Sequence, residues 1–373
     1  EEVEPHDSVA RYEGLGVEGI QGRARVTSPW EVEVNGKRLT SRHIVIATGA
    51  RPRLPALPGL DRVPYLTSDT IWQRLREPPR HLLVLGGGPI GCELAQSLAL
   101  LGIPVTLVEQ GPQLLPREDR DVAGALAAQL EHDGVTLHLG WQATSAEYMD
   151  GKGTNLPIRL HLRRGDETLV VEGDQLLLAL GREANVSGFG LEALGVELAP
   201  GGTLAIDSFL ATNYPSILAV GDVAGPYQFT HFAAHQAWYA AINALFGQFR
   251  RFRADYRVMP AATYTSPEIA RVGLNQKEAR ARGIPFESTR FEMAELDRAI
   301  ADGESGGFVE VLTVPGRDRI LGATIVGAHA GERIAEFALA MRHRLGLGKI
   351  LATVHPYPTL MEGNLSLIHI SEP

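Results

Sequence analysis

The chain has 373 residues, a formal net charge of −9, 44% hydrophobic and 21% charged residues, and a single cysteine. That apolar content supports a sizeable core and excludes wholesale disorder, and the length fits two or three domains. The acidic balance argues against a nucleic-acid partner, and one cysteine excludes an intrachain disulfide, a cysteine-rich scaffold and a thiolate zinc site.

Gly and Pro together make about 17% of the chain, above the usual ~12%, so many tight turns are expected. No run reaches the roughly 18 apolar residues that span a bilayer, and no secretory leader opens the chain, so a cytoplasmic location is expected. The opening Glu1-Glu2-Val3-Glu4 has no Met and reads as the interior of something longer. Glu31-Val32-Glu33-Val34 alternates, Asn35-Gly36 is a type I′ hairpin signal, and Lys37 to Thr40 returns. His43 to Ala47 is an apolar strand running into Thr48-Gly49-Ala50-Arg51-Pro52, and the proline-rich stretch 52–79 reads as a connection.

From Arg80 the pattern becomes strand, helix, strand. His81–Leu85 is a buried strand, Pro89–Leu101 has helical periodicity, Ile103–Val108 is the next strand, and Asp119–His132 is an amphipathic helix. Strands follow near 135–139, 157–162, 168–172 and 175–180, then two short ones within 203–222, and a helix over Phe232–Gly247. Beyond Asp255 the character changes to strands around 261–274, 307–314 and 319–327, with helices around 276–282 and 331–345. Alternating βα units followed by a strand-rich tail predict an α/β protein with an α+β C-terminal domain.

The strongest motif is G-x-G-x-x-G, from Gly86 through Gly88 to Gly91, between a buried strand and a helix. Gly86 allows the tight turn, Gly88 lets backbone reach a pyrophosphate, and Gly91 lets helix pack on strand. The helix N-terminus offers unpaired N–H groups to phosphate. The second strand ends at Glu109, 18 residues after Gly91, where a carboxylate accepts from ribose hydroxyls and repels a 2′-phosphate. NAD is therefore favoured over NADP. The plain structural alternative is a glycine-rich turn with a surface Glu. Glu93, in the first turn of the helix, is read either as a dipole-favoured carboxylate or as a group near the reacting nicotinamide. Cys92 beside it reads as an inert buried thiol.

A second apolar strand, in the segment Thr212 to Asp222, ends in Gly221-Asp222, placing a carboxylate where it can hold a sugar or ribitol hydroxyl; the alternative is an ordinary turn Asp. Together with the 46–52 segment, Ala179-Leu180-Gly181-Arg182, Pro260 … Tyr264-Thr265-Ser266-Pro267-Glu268 and Ile320-Leu321-Gly322-Ala323 … Ala330-Gly331-Glu332, these pieces resemble the pyridine nucleotide–disulfide oxidoreductases. That is the family of dihydrolipoamide dehydrogenase, glutathione reductase and mercuric reductase. The resemblance covers nearly the whole chain to about Asn364.

The resemblance implies two Rossmann-like dinucleotide-binding domains, the FAD domain incomplete, plus an α+β dimerisation domain. The boundaries would be 1–78 with 184–254 for FAD, 79–183 for NAD(P) and 255–364 for homodimer formation. It implies an FAD-dependent enzyme that takes hydride from NAD(P)H, passes electrons to a redox disulfide and serves redox homeostasis. Thr48, Gly49, Arg182, Gly221, Asp222, Phe232 and Ala233 would border FAD. Ile90 and Gly181 would join Gly86, Gly88, Gly91 and Glu109 around NAD(P)H. Glu93 would pair with a lysine near flavin N5.

The family's first G-x-G-x-x-G and its C-x-x-x-x-C pair are not found in the chain. The chain is accordingly expected to be an N-terminally truncated piece, inactive as given. The ending Leu365 to Pro373 resembles a translated sequencing adapter and is expected to be non-native. Within the family, His355-Pro356-Tyr357-Pro358-Thr359-Leu360-Met361-Glu362 places Tyr357 where thiol-reducing members carry an acid–base His, with Glu362 as its orienting carboxylate. Mercuric reductase carries a Tyr there, which favours a thiol or metal-ion substrate of mercuric-reductase type. A lipoamide dehydrogenase, or a redox-sensing module without disulfide chemistry, stays open, as does a fused membrane domain in the parent. His355, two residues earlier, reads either as acid–base or as a plain loop histidine. His231 and His235 are spaced i,i+4, but no third metal ligand is evident.

Overall fold

The computed structural model describes residues 8–149 and 155–371, the side chains of 367–371 excepted. The expectations placed on Glu1 to Glu4 and on residues 372–373 fall outside that range. The chain forms two compact units, Glu1–Arg51 with Glu183–Asp255, and Pro52–Arg182 with Tyr256–Pro373.

In the first unit, strands Arg25–Ser28, Glu31–Val34 and Lys37–Thr40 form an antiparallel sheet. Asn35 and Gly36 take φ of 52° and 75°, the paired left-handed geometry of the expected hairpin turn. Strand Ile44–Ile46 pairs in parallel with Ile217–Ala219, so the two chains leave the sheet at one end, at Thr48-Gly49 and at Gly221-Asp222. Val26, Ile46, Leu191, Ile217, Ala219 and Val223 are the core. Of the two strands expected in 203–222, only Ile217–Ala219 forms; Leu204 and Ala211 make isolated bridges. The Asp207 carboxylate accepts the N–H groups of Phe209 (2.8 Å) and Ala211 (3.0 Å), and that side-chain-closed turn replaces a ladder. Helix Thr230–Phe246 buries Phe232, Gln236, Ala240 and Asn243.

In the second unit, a five-stranded parallel sheet has the order Tyr65–Thr67, Gln175–Leu178, Leu82–Leu85, Val105–Glu109, Val135–Leu139. Leu82, Val84, Leu107 and Leu177 are fully buried with Leu126 and Leu130 of helix Arg120–His132, the burial that parallel strands require. Tyr65–Thr67 lies in the stretch expected to be a connection. Helix Pro89–Leu100 opens with Pro at N1, where a missing N–H costs nothing, and stops before Gly102, whose φ of 86° closes the helix end. A three-stranded antiparallel sheet, Gln142–Tyr148, Ile158–Arg164 and Glu167–Gly173, follows.

The C-terminal part is an antiparallel sheet in the order Pro260–Thr263, Glu268–Gly273, Ile320–Gly327, Phe308–Thr313, Glu287–Glu292. Helix Ala330–Arg342 covers it with Ile334, Phe337 and Ala340. Ile269, Phe308 and Val326 of this sheet share one core cluster with the parallel sheet, so the two halves of the unit have a continuous interior.

Candidate functional site

The glycine turn has the geometry its spacing demands. Gly86 takes φ +114°, and a Cβ there would stand 2.4 Å from the Ala179 carbonyl oxygen. A Cβ on Gly91 would stand 1.9 Å from the Gly86 carbonyl oxygen, so helix and turn pack to backbone contact. At Gly88 an added Cβ meets nothing within 4 Å. That open position at the helix N-terminus would let a pyrophosphate come against backbone, so these residues fit a dinucleotide.

Glu109 closes the turn from the side. Its Oε2 accepts the Gly87 N–H at 2.7 Å and its Oε1 the Gly111 N–H at 2.6 Å, leaving the carboxylate fixed beside the glycine turn. Ile90, the residue before Gly91, is half-buried in the first turn of the helix, and Gly181 takes φ +91° just past strand Gln175–Leu178. Arg182 reaches Asp69 at 3.1 Å and Ser68 at 3.4 Å. Cys92 is fully buried, touches the Gly87 carbonyl at 3.4 Å, and has its thiol pushed up to about 12 by burial and by Glu93 and Glu109. It is buried, as its position suggested.

Glu93 has a partner the sequence reading missed. Its Oε1 accepts the Tyr264 N–H at 2.8 Å, and burial holds its carboxyl above the usual range against that bond. One turn on, buried Gln96 accepts the Ser266 N–H (2.8 Å) and donates to the Ser266 carbonyl (2.6 Å) and to Asp133 (2.7 Å). The helix behind the glycine turn is thus fastened to the 264–266 segment through an i,i+3 pair. The loop that follows Glu109 is fastened too. Leu115 donates to the Gly87 carbonyl at 2.8 Å, and Asp119 accepts the N–H groups of Gln276 (3.0 Å) and Lys277 (2.8 Å). Arg271 pairs with Glu118 at 3.0 Å and Glu278 at 3.3 Å.

In the first unit, Thr48 donates through Oγ1 to the Asn185 carbonyl at 2.7 Å, and the Asn185 amide returns a bond to the Thr48 carbonyl at 2.9 Å. Gly49 has φ +64° and open space at its Cβ position. Gly221 has φ +75°, and its N–H donates to the fully buried Gln236 at 2.6 Å. A Cβ on Gly221 would be 3.2 Å from the Ala233 Cβ, so helix Thr230–Phe246 closes down beside it. Two glycines in left-handed geometry, Thr48 and the half-buried Asp222 all stand at the carboxyl end of adjacent parallel strands, the position at which such sheets bind nucleotides. These residues fit FAD. The Phe232 side chain is fully buried, edge-on to Tyr227 at 5.3 Å, so it packs into the core rather than lining an open crevice. His231 stacks on Phe229 and His235 meets Tyr239 edge-on, and among the described residues no group of three His, Cys, Asp or Glu is arranged to hold a metal.

The 353–362 segment is arranged differently from the expectation. Tyr357 is 69% exposed, and its hydroxyl donates to Asp297 at 2.9 Å. That bond, with the Asp297 charge, raises the phenol above its ordinary range. Glu362 adds charge nearby, but its Oε2 is buried without a hydrogen-bond partner. His355 turns inward to Glu336, at 2.6 Å, a residue the sequence reading did not single out.

A glycine turn beside a fixed carboxylate, and two left-handed glycines at the carboxyl end of a parallel strand pair, fit a two-dinucleotide oxidoreductase. The family model for pyridine nucleotide-disulphide oxidoreductases matches residues 6–237, and that for the family's dimerisation domain matches residues 259–365. The chain is 36% identical to a dihydrolipoyl dehydrogenase of Thermus scotoductus, over 94% of this chain and 74% of that protein. It is 33% identical to a mercuric reductase of Bacillus cereus, over 93% of this chain and 54% of that longer protein. Among solved structures, LpdA of Mycobacterium tuberculosis superimposes with a TM-score of 0.87 at 27% identity, covering 100% of this chain and 81% of that one. The disulfide reductase RclA of Escherichia coli gives a TM-score of 0.84 at 26% identity, with 95% and 80% covered. The chain belongs to the pyridine nucleotide-disulphide oxidoreductase family. It is of the FAD-dependent, NAD(P)H-using oxidoreductase type, with the family's homodimer-forming domain. Among the described residues no helix is long and apolar enough to cross a membrane.

Proposed function

We propose that the enzyme works in the manner of a mercuric reductase, with NADH as the electron source and a soft metal ion or small disulfide as acceptor. The bound cofactors supply hydride and electron transfer. The chain's own residues bind and orient. Gly88 would admit the pyrophosphate, Glu109 would hold the adenosine ribose, and Asp222 would hold the flavin's ribitol. The observation that carries the reading is Tyr357, an exposed phenol on a segment stiffened by Pro356 and Pro358. A phenol with an ordinary pKa of ~10, raised further here, is a poor base at neutral pH, so it suits guiding an ion better than deprotonating a dithiol. An enzyme that draws on NADH for thiol–disulfide chemistry suits the reducing cytoplasm, and we place the enzyme there.

The test is NADH oxidation by the homodimeric holoenzyme with mercuric ion, and separately its activity on dihydrolipoamide. Mercuric-ion-dependent turnover is expected to fall on the order of 10-fold in Tyr357→Phe, less than the roughly 100-fold or more that follows loss of a general acid–base. Efficient dihydrolipoamide oxidation with no response to mercuric ion would overturn the reading.

A further inference from the structure

We propose that His355 is a positioning residue, held as an imidazolium between Glu336 and the Thr353 carbonyl, and that this clamp fixes where Tyr357 stands. The inference rests on the reading of Tyr357 given above only for its functional consequence.

The geometry selects the charged ring. Nδ1 is 2.8 Å from the Thr353 carbonyl oxygen and Nε2 is 2.6 Å from Glu336 Oε1. A carbonyl only accepts, so Nδ1 must carry hydrogen. A neutral ring would then direct the Nε2 lone pair at a carboxylate oxygen. The imidazolium donates to both. The His355 side chain is 7% exposed and that of Glu336 19%, so solvent screens the pair weakly. Glu336 is itself held, because its Oε2 accepts the Asn364 amide at 2.9 Å.

The clamp acts on one short segment. From Ala352 to Pro358 every residue except His355 is exposed. His355 is therefore the only side chain in that stretch directed inward, onto helix Ala330–Arg342, and Tyr357 stands two residues beyond it. The other charged groups nearby do not bond the ring. Arg333 lies one turn before Glu336 on the same helix and is buried, Glu362 begins the C-terminal helix, and Asp297 holds the Tyr357 hydroxyl. Burial pulls His355 down, but the Glu336 and Thr353 hydrogen bonds and the Glu336 charge outweigh it, leaving His355 above the ordinary histidine range.

The test is an NMR titration of the whole chain, reading the His355 imidazole carbon and the Tyr357 ring carbons. We expect His355 to deprotonate above the ordinary histidine pKa and the Tyr357 signals to move with the same midpoint. Glu336→Gln should lower the His355 midpoint by about one pH unit, the usual effect of losing an adjacent opposite charge. His355→Lys, which keeps a cation, should hold Tyr357 in its low-pH state, and His355→Asn should leave it in its high-pH state. If a variant fails to fold, the unsubstituted chain still decides. An ordinary or lower His355 midpoint, or Tyr357 signals that ignore it, would overturn the proposal. Signals that follow His355 in a protein whose mercuric-ion turnover ignores Tyr357→Phe would sink the functional reading and leave the clamp standing.

Discussion

The Glu93 carboxylate accepts the Tyr264 backbone N–H at 2.8 Å, across 171 residues of sequence. A carboxylate in the first turn of the nucleotide helix is thereby committed to the start of the 264–266 segment, and burial disfavours its charge.

That disfavoured charge has a direction in pH. A carboxyl whose folded pKa is raised binds its proton more tightly folded than unfolded, so stability falls as pH rises from the unfolded value through the raised one, and is level above it. Glu93→Gln keeps an acceptor for Tyr264 and removes the charge. It is expected to flatten that part of the stability–pH profile and to unfold at higher urea than the unsubstituted chain at pH 8. Glu93→Ala, which orphans the Tyr264 N–H, is expected to lose about 1–2 kcal/mol. A Gln variant with an unchanged profile would count against burial as the cause.

Two glycines of the same motif should separate folding from binding. Gly91→Ala drives a methyl into the Gly86 carbonyl and is expected to cost about 1–3 kcal/mol in urea melts. Gly88→Ala meets open space at φ −76° and should leave stability within about 0.5 kcal/mol while weakening NADH binding. Fluorescence titration with NADH checks this. Unchanged affinity in Gly88→Ala would mean that no pyrophosphate comes to that backbone.

Glu109 is fixed by two backbone N–H groups beside the glycine turn, where we propose it meets the adenosine ribose. The holoenzyme should therefore favour NADH over NADPH in kcat/KM by roughly 10-fold or more, about 1.4 kcal/mol. Comparable values for the two nicotinamides would remove Glu109 from the role of selector.

Asp119 offers a test of how the loop beyond Glu109 is held. It takes two N–H groups at the start of helix Gln276–Ala281 while 8% exposed. Asp119→Ala is expected to cost about 1–2 kcal/mol, as for loss of a helix cap, with Asp119→Asn recovering part of it. Equal melts for all three chains would show the bonds to be idle.

What the sequence made legible was local. The strand Leu82–Leu85, its glycine turn and the helix behind it are contiguous, so spacing alone placed Gly86, Gly88, Gly91 and Glu109. The strand Tyr65–Thr67 was hidden because it is three residues long among prolines and gains its identity only by pairing with Gln175–Leu178. Strands Gln142–Tyr148 and Glu287–Glu292 were hidden because mostly polar residues occupy them, and their neighbours, not their own apolar pattern, hold them. At the site, Asp297, Gln96 and Glu336 escaped notice because each meets its partner only after the chain has returned from elsewhere. The Tyr357–Asp297 pair is 60 residues apart and Gln96–Ser266 is 170 apart. The resemblance pointed to Glu362 as the carboxylate that orients the Tyr357 position, whereas the Asp297 contact is made only by the fold.

The burial of Cys92 gives the chain a built-in clock. Its only sulfhydryl is sealed beneath the nucleotide turn and too weakly acidic to react while sealed, so an alkylating reagent attacks only when that turn opens. Mass gained by pulse alkylation thus measures how often the dinucleotide cradle comes apart, and saturating NADH should slow the count.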